Sequence, residues 1–132
     1  MPYCYAKGSY LKKQSFNQEI TLSGKGIFKL FKKAKEKKFK IILYYVGLES
    51  VKLAKERVKI RVKKGGHNVK DEIIEKRYYT SLVNLKIAIH LCDEVYIYDN
   101  SQDFKLIALK TNETFKKLQI CKWLENLNLN FS

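Results

Sequence analysis

Apolar residues recur along this chain in two rhythms. Ile27, Phe28, Leu30, Phe31 and Ala34 follow the three-to-four spacing of one helical face, with lysines opposite. Phe39 to Gly47 (FKIILYYVG) is a near-continuous β-branched and aromatic run, which predicts a strand covered on both faces of a parallel sheet. Ser50 is placed to cap a second helix through about Val62, with Val51, Ala54, Val58 and Val62 inward, and Gly65-Gly66 is suited to end it. A third helix is expected to open near Asn68, with Asp71 and Glu72 at its positive end and Ile74, Tyr78, Leu82 and Leu85 inward.

Beyond it, Glu94 to Tyr98 reads as a second core strand ending in the turn Asp99-Asn100-Ser101. Phe104 to Leu109 reads as an edge strand, and Asn112 to Leu127 as a C-terminal helix with Phe115, Leu118, Trp123, Leu124 and Leu127 inward. Upstream, Ser15 to Leu22 is expected to be a short strand running into a turn at Ser23, Gly24 and Gly26. Strands alternating with helices imply parallel βαβ units in one α/β domain spanning residues 1–132. Ligands of such sheets collect at the carboxyl ends of the strands.

The chain has 132 residues and 45% hydrophobic content, enough for one real core. It contains no apolar run of the roughly 18 residues that reads as a spanning helix, and MPYCYAKGSY lacks the apolar centre of a signal peptide, so a cytoplasmic protein is expected. The charge of +14, from 27 Lys and Arg against 13 Asp and Glu, favours partners that carry phosphates. Most of the excess is lysine on presumed helix faces, such as Lys29, Lys32, Lys33, Lys35, Lys37 and Lys38. No helix-turn-helix, zinc finger or aromatic-and-arginine module accompanies it, which counts against nucleic acid. Cys4, Cys92 and Cys121 have no metal-ligand spacing, so no metal site is expected.

Three polar groups fall where ligands collect. Glu19 and Thr21 follow the first strand, where a carboxylate beside a hydroxyl can orient a substrate hydroxyl; alternatively Glu19 is exposed and Thr21 caps the next helix. Arg57 to Arg77 (RVKIRVKKGGHNVKDEIIEKR) sets arginines on two helices about a glycine hinge. Such helices can close over phosphates, or each arginine can form surface ion pairs, Arg77 with Glu72 or Asp71 for instance. His67 is either a general base or a residue that orders the hinge, and His90 lies on an apolar run as a core or boundary residue. Asp99-Asn100-Ser101 is turn chemistry first and a nucleotide or substrate contact second.

Taken in order, SFNQEITLSG, the strand KIILYYVGLES, RVKIRVKKGGHNVKDEIIEKRYYTSLVNL and DEVYIYDNS resemble the successive elements of the zeta-toxin family over residues 15–101. That resemblance implies a three-layer, parallel-sheet P-loop kinase fold like that of nucleoside-monophosphate kinases. It further implies ATP and Mg²⁺ as cofactors, phosphoryl transfer to a nucleotide-activated sugar or another phosphorylated small molecule, and restraint by an antitoxin protein. Glu19 and Thr21 would then bind the acceptor, and Arg61 and Arg77 would be lid arginines on the γ-phosphate, with Arg57 competing for the first position. Gly65, Gly66 and His67 would form the hinge, and Asp99 and Asn100 a nucleotide contact.

Two departures qualify this likeness. The sequence contains no G-x-x-x-x-G-K-[ST] loop, since neither Gly8 nor Gly24-Lys25-Gly26 has the spacing, so this chain alone is expected to be a very poor kinase. Ile20 and Lys70 replace the family's threonine and proline. A parallel sheet lacking a central strand would also leave an open edge, to be covered by a homodimer partner or a rearranged N-terminus.

Overall fold

Residues 41, 43 and 45 of one strand and 95 and 97 of another point to a single apolar layer, and the rest of the fold is arranged around them. The computed structural model describes residues 3–8, 15–19, 22, 26–111 and 114–127. Among these, the order is β1 (Tyr3–Gly8), β2 (Ser15–Glu19), α1 (Ile27–Glu36), β3 (Phe39–Gly47), α2 (Val51–Lys63), α3 (Asp71–Leu91), β4 (Glu94–Asp99), β5 (Lys105–Thr111), β6 (Thr114–Lys117) and α4 (Lys122–Glu125). The strands form one mixed sheet in the order β2-β1-β3-β4-β5-β6.

The expected parallel sheet is corrected to a mixed one, in which β3 and β4 are the parallel pair and every other pairing is antiparallel. Connection length gives the reason. A parallel return needs a crossover of a dozen residues or more, which α2 and α3 supply between β3 and β4. The short links between β4 and β5 and between β5 and β6 permit only antiparallel neighbours. The free edge of β3 is covered by the N-terminal segment, because β1 pairs antiparallel with it from Tyr3↔Tyr44 to Gly8↔Phe39.

Layering differs from expectation too. Buried residues of α1 (Ile27, Phe31, Ala34), α3 (Leu85, Ala88, Ile89) and α4 (Trp123, Leu124) join one cluster with Ile41, Leu43, Tyr45, Val95 and Ile97. Burial along β3 alternates strictly, so this strand is fully buried on one face, not on both. Two layers, helices over a sheet, therefore account for the described core.

Boundaries follow local chemistry. Ser50 caps α2 as expected, its hydroxyl accepting from the Leu53 N–H at 3.1 Å. The third helix starts at Asp71, three residues later than Asn68, with Asp71 and Glu72 in its first turn. At its other end the buried Lys110 donates from Nζ to the carbonyls of Ile89 and Cys92. A cation is thus held at the negative end of the helix, an interaction of roughly 1.5–3 kcal/mol for a charged hydrogen bond.

The expected helix over Asn112 to Leu127 is replaced by β6 and the one-turn α4. β5 is consequently an interior strand, not an edge. The open side of β5 captured the segment, pairing Lys110 with Phe115, and this left Leu118 exposed while Trp123 and Leu124 still reached the core. Among the described residues no helix is long and apolar enough to cross a membrane.

Trp123 packs against Gly47 so closely that a β-carbon there would overlap its indole ring. Gly47→Ala is therefore expected to lower stability by about 2 kcal/mol, as overpacking does, in a urea unfolding curve. Tyr45 provides a second test. Burial pushes its phenol up to about 12, from 10.0, against a smaller opposing effect of its hydrogen bond to Ser81. The folded state holds this proton more tightly, so the contribution is complete below pH 10 and is lost as pH rises toward 12. Tyr45→Phe should flatten the fall in urea midpoint over that interval.

Candidate functional site

Parallel pairing sets the carboxyl ends of β3 and β4 side by side, Gly47 opposite Asp99. There the Asn100 N–H donates to the Gly47 carbonyl at 3.0 Å, and the Glu49 N–H donates to Ser101 Oγ at 2.9 Å. From this edge the chain rises into α2, turns and returns as α3. A cleft of about 930 Å³ lies between the two helices and the strand ends.

α2 buries no residue fully, although Ala54, Val58 and Ile60 line the cleft. It closes in a Schellman arrangement, the Gly66 N–H donating to the Arg61 carbonyl at 2.9 Å and the Gly65 N–H to that of Val62 at 3.0 Å. Gly65 has φ +98°, a left-handed conformation that favours glycine, as the sequence position predicted. At Gly66 a side chain would meet the Arg61 carbonyl oxygen at 2.9 Å, so the backbone approach itself requires glycine. The exposed Lys55–Glu75 ion pair, at 3.5 Å, links α2 to α3 and contributes little by itself.

Among the described residues, five basic side chains line one cavity: Arg57, Arg61, Lys64, His67 and Arg77. Arg57 donates from Nη2 to the Ser101 carbonyl at 3.0 Å, which ties α2 to the turn after β4. Arg61 and Arg77 are exposed, and among the described residues no ion pair to a carboxylate engages them. The alternative pairing of Arg77 with Glu72 or Asp71 is not formed. Beneath the cations, Leu22, Val46, Leu48, Val58 and Ile74 give an apolar floor. The Tyr78 hydroxyl donates to the Leu48 carbonyl at 2.9 Å, and partial burial raises its phenol above the ordinary value.

The structure thus brings Arg57, Arg61, Gly66, His67, Arg77 and Asn100 to one cleft. Gly65 stands in the hinge beside it. Asp99 does not share this role. Its buried carboxylate accepts from Trp123 Nε1 at 3.1 Å and Ser101 Oγ at 2.7 Å, so it fastens the turn and α4. Of the two readings offered for Asp99, these bonds form the turn chemistry. Glu19 ends β2, two strands away from β3, in register with Tyr3 and through it with Tyr44. Thr21 lies outside the described residues, while Leu22 after it is fully buried in the cleft wall, held by the Asn84 amide donating to its carbonyl at 2.6 Å.

Sequence reasoning passed over Lys64, Tyr78 and Ser81. Lys64 immediately precedes the glycine pair and Tyr78 immediately follows Arg77, so extending each motif by one residue would have found two of them. The cation-rich rim suits phosphate oxygens. No carboxylate is among the described residues lining the cleft, and no described group of three or more His, Cys, Asp or Glu could hold a metal.

No protein-family model matches the chain, and no solved structure matches it. Among curated proteins, one described as an uncharacterized protein of Haemophilus influenzae is 43% identical over 63 residues. The matched stretch is 48% of this chain and 45% of that protein, so the chain spans about half the length of the relative it matches.

The hinge geometry is directly testable. Gly65→Ala places a β-carbon on a left-handed residue and should destabilise the end of α2 by about 1 kcal/mol, read as faster amide exchange at Val62 to Gly66 with the sheet amides unchanged.

Proposed function

We propose that this chain is a zeta-toxin-like substrate-and-lid unit that holds a phosphate-bearing small molecule, of the nucleotide-activated sugar class, between α2 and α3. The observation that carries this reading is the meeting of Arg57, Arg61 and Arg77 in one cleft over an apolar floor, with Arg61 and Arg77 unpaired to carboxylates among the described residues. Guanidinium forks match phosphate oxygens, and the apolar floor suits the uncharged part of such a ligand. α2, with no fully buried residue and a glycine hinge behind it, is the element free to close over the ligand.

In the kinase that the resemblance implies, Arg61 and Arg77 would steady the transferring phosphoryl group. That activity needs a phosphate loop, which the sequence lacks, and a metal site, which the described residues of this cleft do not supply, so the proposal for the chain by itself is binding, not turnover. An antitoxin-like protein remains the partner expected from the same resemblance.

Titration calorimetry tests the reading. UDP-N-acetylglucosamine should bind, and Arg61→Ala or Arg77→Ala should each weaken it by about ten-fold or more, as loss of a charged hydrogen bond does. ATP with Mg²⁺ should show no turnover by this chain. Absence of binding by UDP-N-acetylglucosamine and by inorganic pyrophosphate alike would overturn the proposal.

A further inference from the structure

Lys64 lines the cleft as an exposed cation, and among the described residues no ion pair to a carboxylate engages it. Its place is fixed by the end of α2. The Lys64 N–H donates to the carbonyls of Ile60 and Arg61 at 3.3 and 3.1 Å, and φ −93° with ψ 10° carries the helical turn one residue past Lys63. Lys64 therefore follows Arg61 by three residues and Arg57 by seven, the spacing of one helical face. At a rise of 1.5 Å per residue the three cations form a row about 10 Å long, from the root of α2 to the glycine hinge.

Length and charge together say what such a row takes. At the root, Arg57 already donates from Nη2 to the Ser101 carbonyl, which leaves its other nitrogens for a ligand. Arg61 stands one turn on, Arg77 is presented from α3, and Lys64 ends the row beside Gly65 and Gly66. Glu56 on α2 and Asp71, Glu72 and Glu75 on α3 are not among the residues that line the cleft, so none of these carboxylates offsets the row there. A lone phosphate, with every oxygen on one phosphorus atom, is satisfied by the arginine forks and leaves the last cation without a counter-charge. A second phosphate joined to the first carries anionic oxygens farther along the helix. The lysine ammonium, a compact charge on a flexible stem, can meet them without a fixed fork geometry.

We infer that Lys64 is the residue by which this cleft selects ligands with two or more linked phosphates over ligands with one. The inference rests on the phosphate-binding reading of the cleft and adds to it a specificity-determining residue and a direction. The uncharged part of the ligand lies against Val46 and Leu48 at the carboxyl end of β3, and the phosphate chain runs along α2 toward the hinge.

Titration calorimetry of the full chain with inorganic pyrophosphate and with inorganic phosphate, at one pH and ionic strength and without divalent metal, tests it. Pyrophosphate should bind tighter than phosphate by about ten-fold or more, as one added charged hydrogen bond provides. Lys64→Ala should remove about that factor from pyrophosphate while leaving phosphate within about two-fold, and Lys64→Arg should restore most of it. Lys63→Ala removes the same charge one residue away, outside the cleft lining, and should leave both anions within about two-fold, which separates a contact from the general field of a +14 chain. Equal affinity for the two anions, loss of both in one proportion in Lys64→Ala, or an equal effect of Lys63→Ala would overturn the assignment of Lys64 and leave the cleft a phosphate site. Absence of binding by both anions and by UDP-N-acetylglucosamine would overturn the cleft reading and this inference with it.

Discussion

The pairing of β3 with β4 is the contact on which this molecule depends. It is parallel, so it cannot form without the crossover of α2 and α3, and every feature of the cleft is a consequence of that crossover. The pair is fastened at both ends. Before β4, Asp93 exchanges two hydrogen bonds with Ile41, its N–H donating to the Ile41 carbonyl at 2.9 Å and its carboxylate accepting from the Ile41 N–H at 2.7 Å. After β4, the Asn100 N–H reaches Gly47, whose missing side chain admits Trp123. Register is thereby set without reliance on strand propensity, and Gly47 stays level with Asp99.

Stability and site share residues at the carboxyl end of this pair. Asp99 holds Trp123 on one side and Ser101 on the other. Ser101 in turn receives Arg57 through its carbonyl and Glu49 through its hydroxyl. A single buried carboxylate therefore links the small C-terminal helix, the turn after β4 and the root of α2. At the far end of α3, Lys110 performs a comparable task by filling the carbonyls of Ile89 and Cys92. The two ends of the sheet are locked by buried polar groups, and the helical hairpin between them is left exposed, which is the division of labour a closing element over a cleft requires.

The tyrosine face shows the cost of a two-layer arrangement. Strands rich in Ile, Tyr and Val form a sheet readily, but their second set of side chains must shelter itself. Among the described residues ring stacking contributes to this, Tyr44 on Tyr96 across neighbouring strands and Tyr98 on Phe104 just before β5. The core face, by contrast, gains full burial from three helices.

Much of this was determined locally and was therefore legible in the chain itself. The span of β3, the cap at Ser50, the left-handed stop at Gly65 and the inward face of α1 depend on side chains within a few residues of one another, and the sequence alone determined them. The clustering of Arg57, Arg61 and Arg77 was legible because two helices separated by a tight glycine turn must lie near each other. Strand direction and the fate of the C-terminal segment were decided only by the tertiary structure. Phe115, Leu118, Trp123 and Leu124 have helical spacing, yet the open hydrogen-bonding edge of β5 offered partners to Thr114–Lys117 that a lone helix could not match. The turn at Asp99 was legible, since Ser101 donates to its carboxylate from two residues away, whereas the bond from Trp123, 24 residues away, is one that no local pattern announces. Local chemistry specifies elements, whereas long-range pairing settles which edges and faces they satisfy.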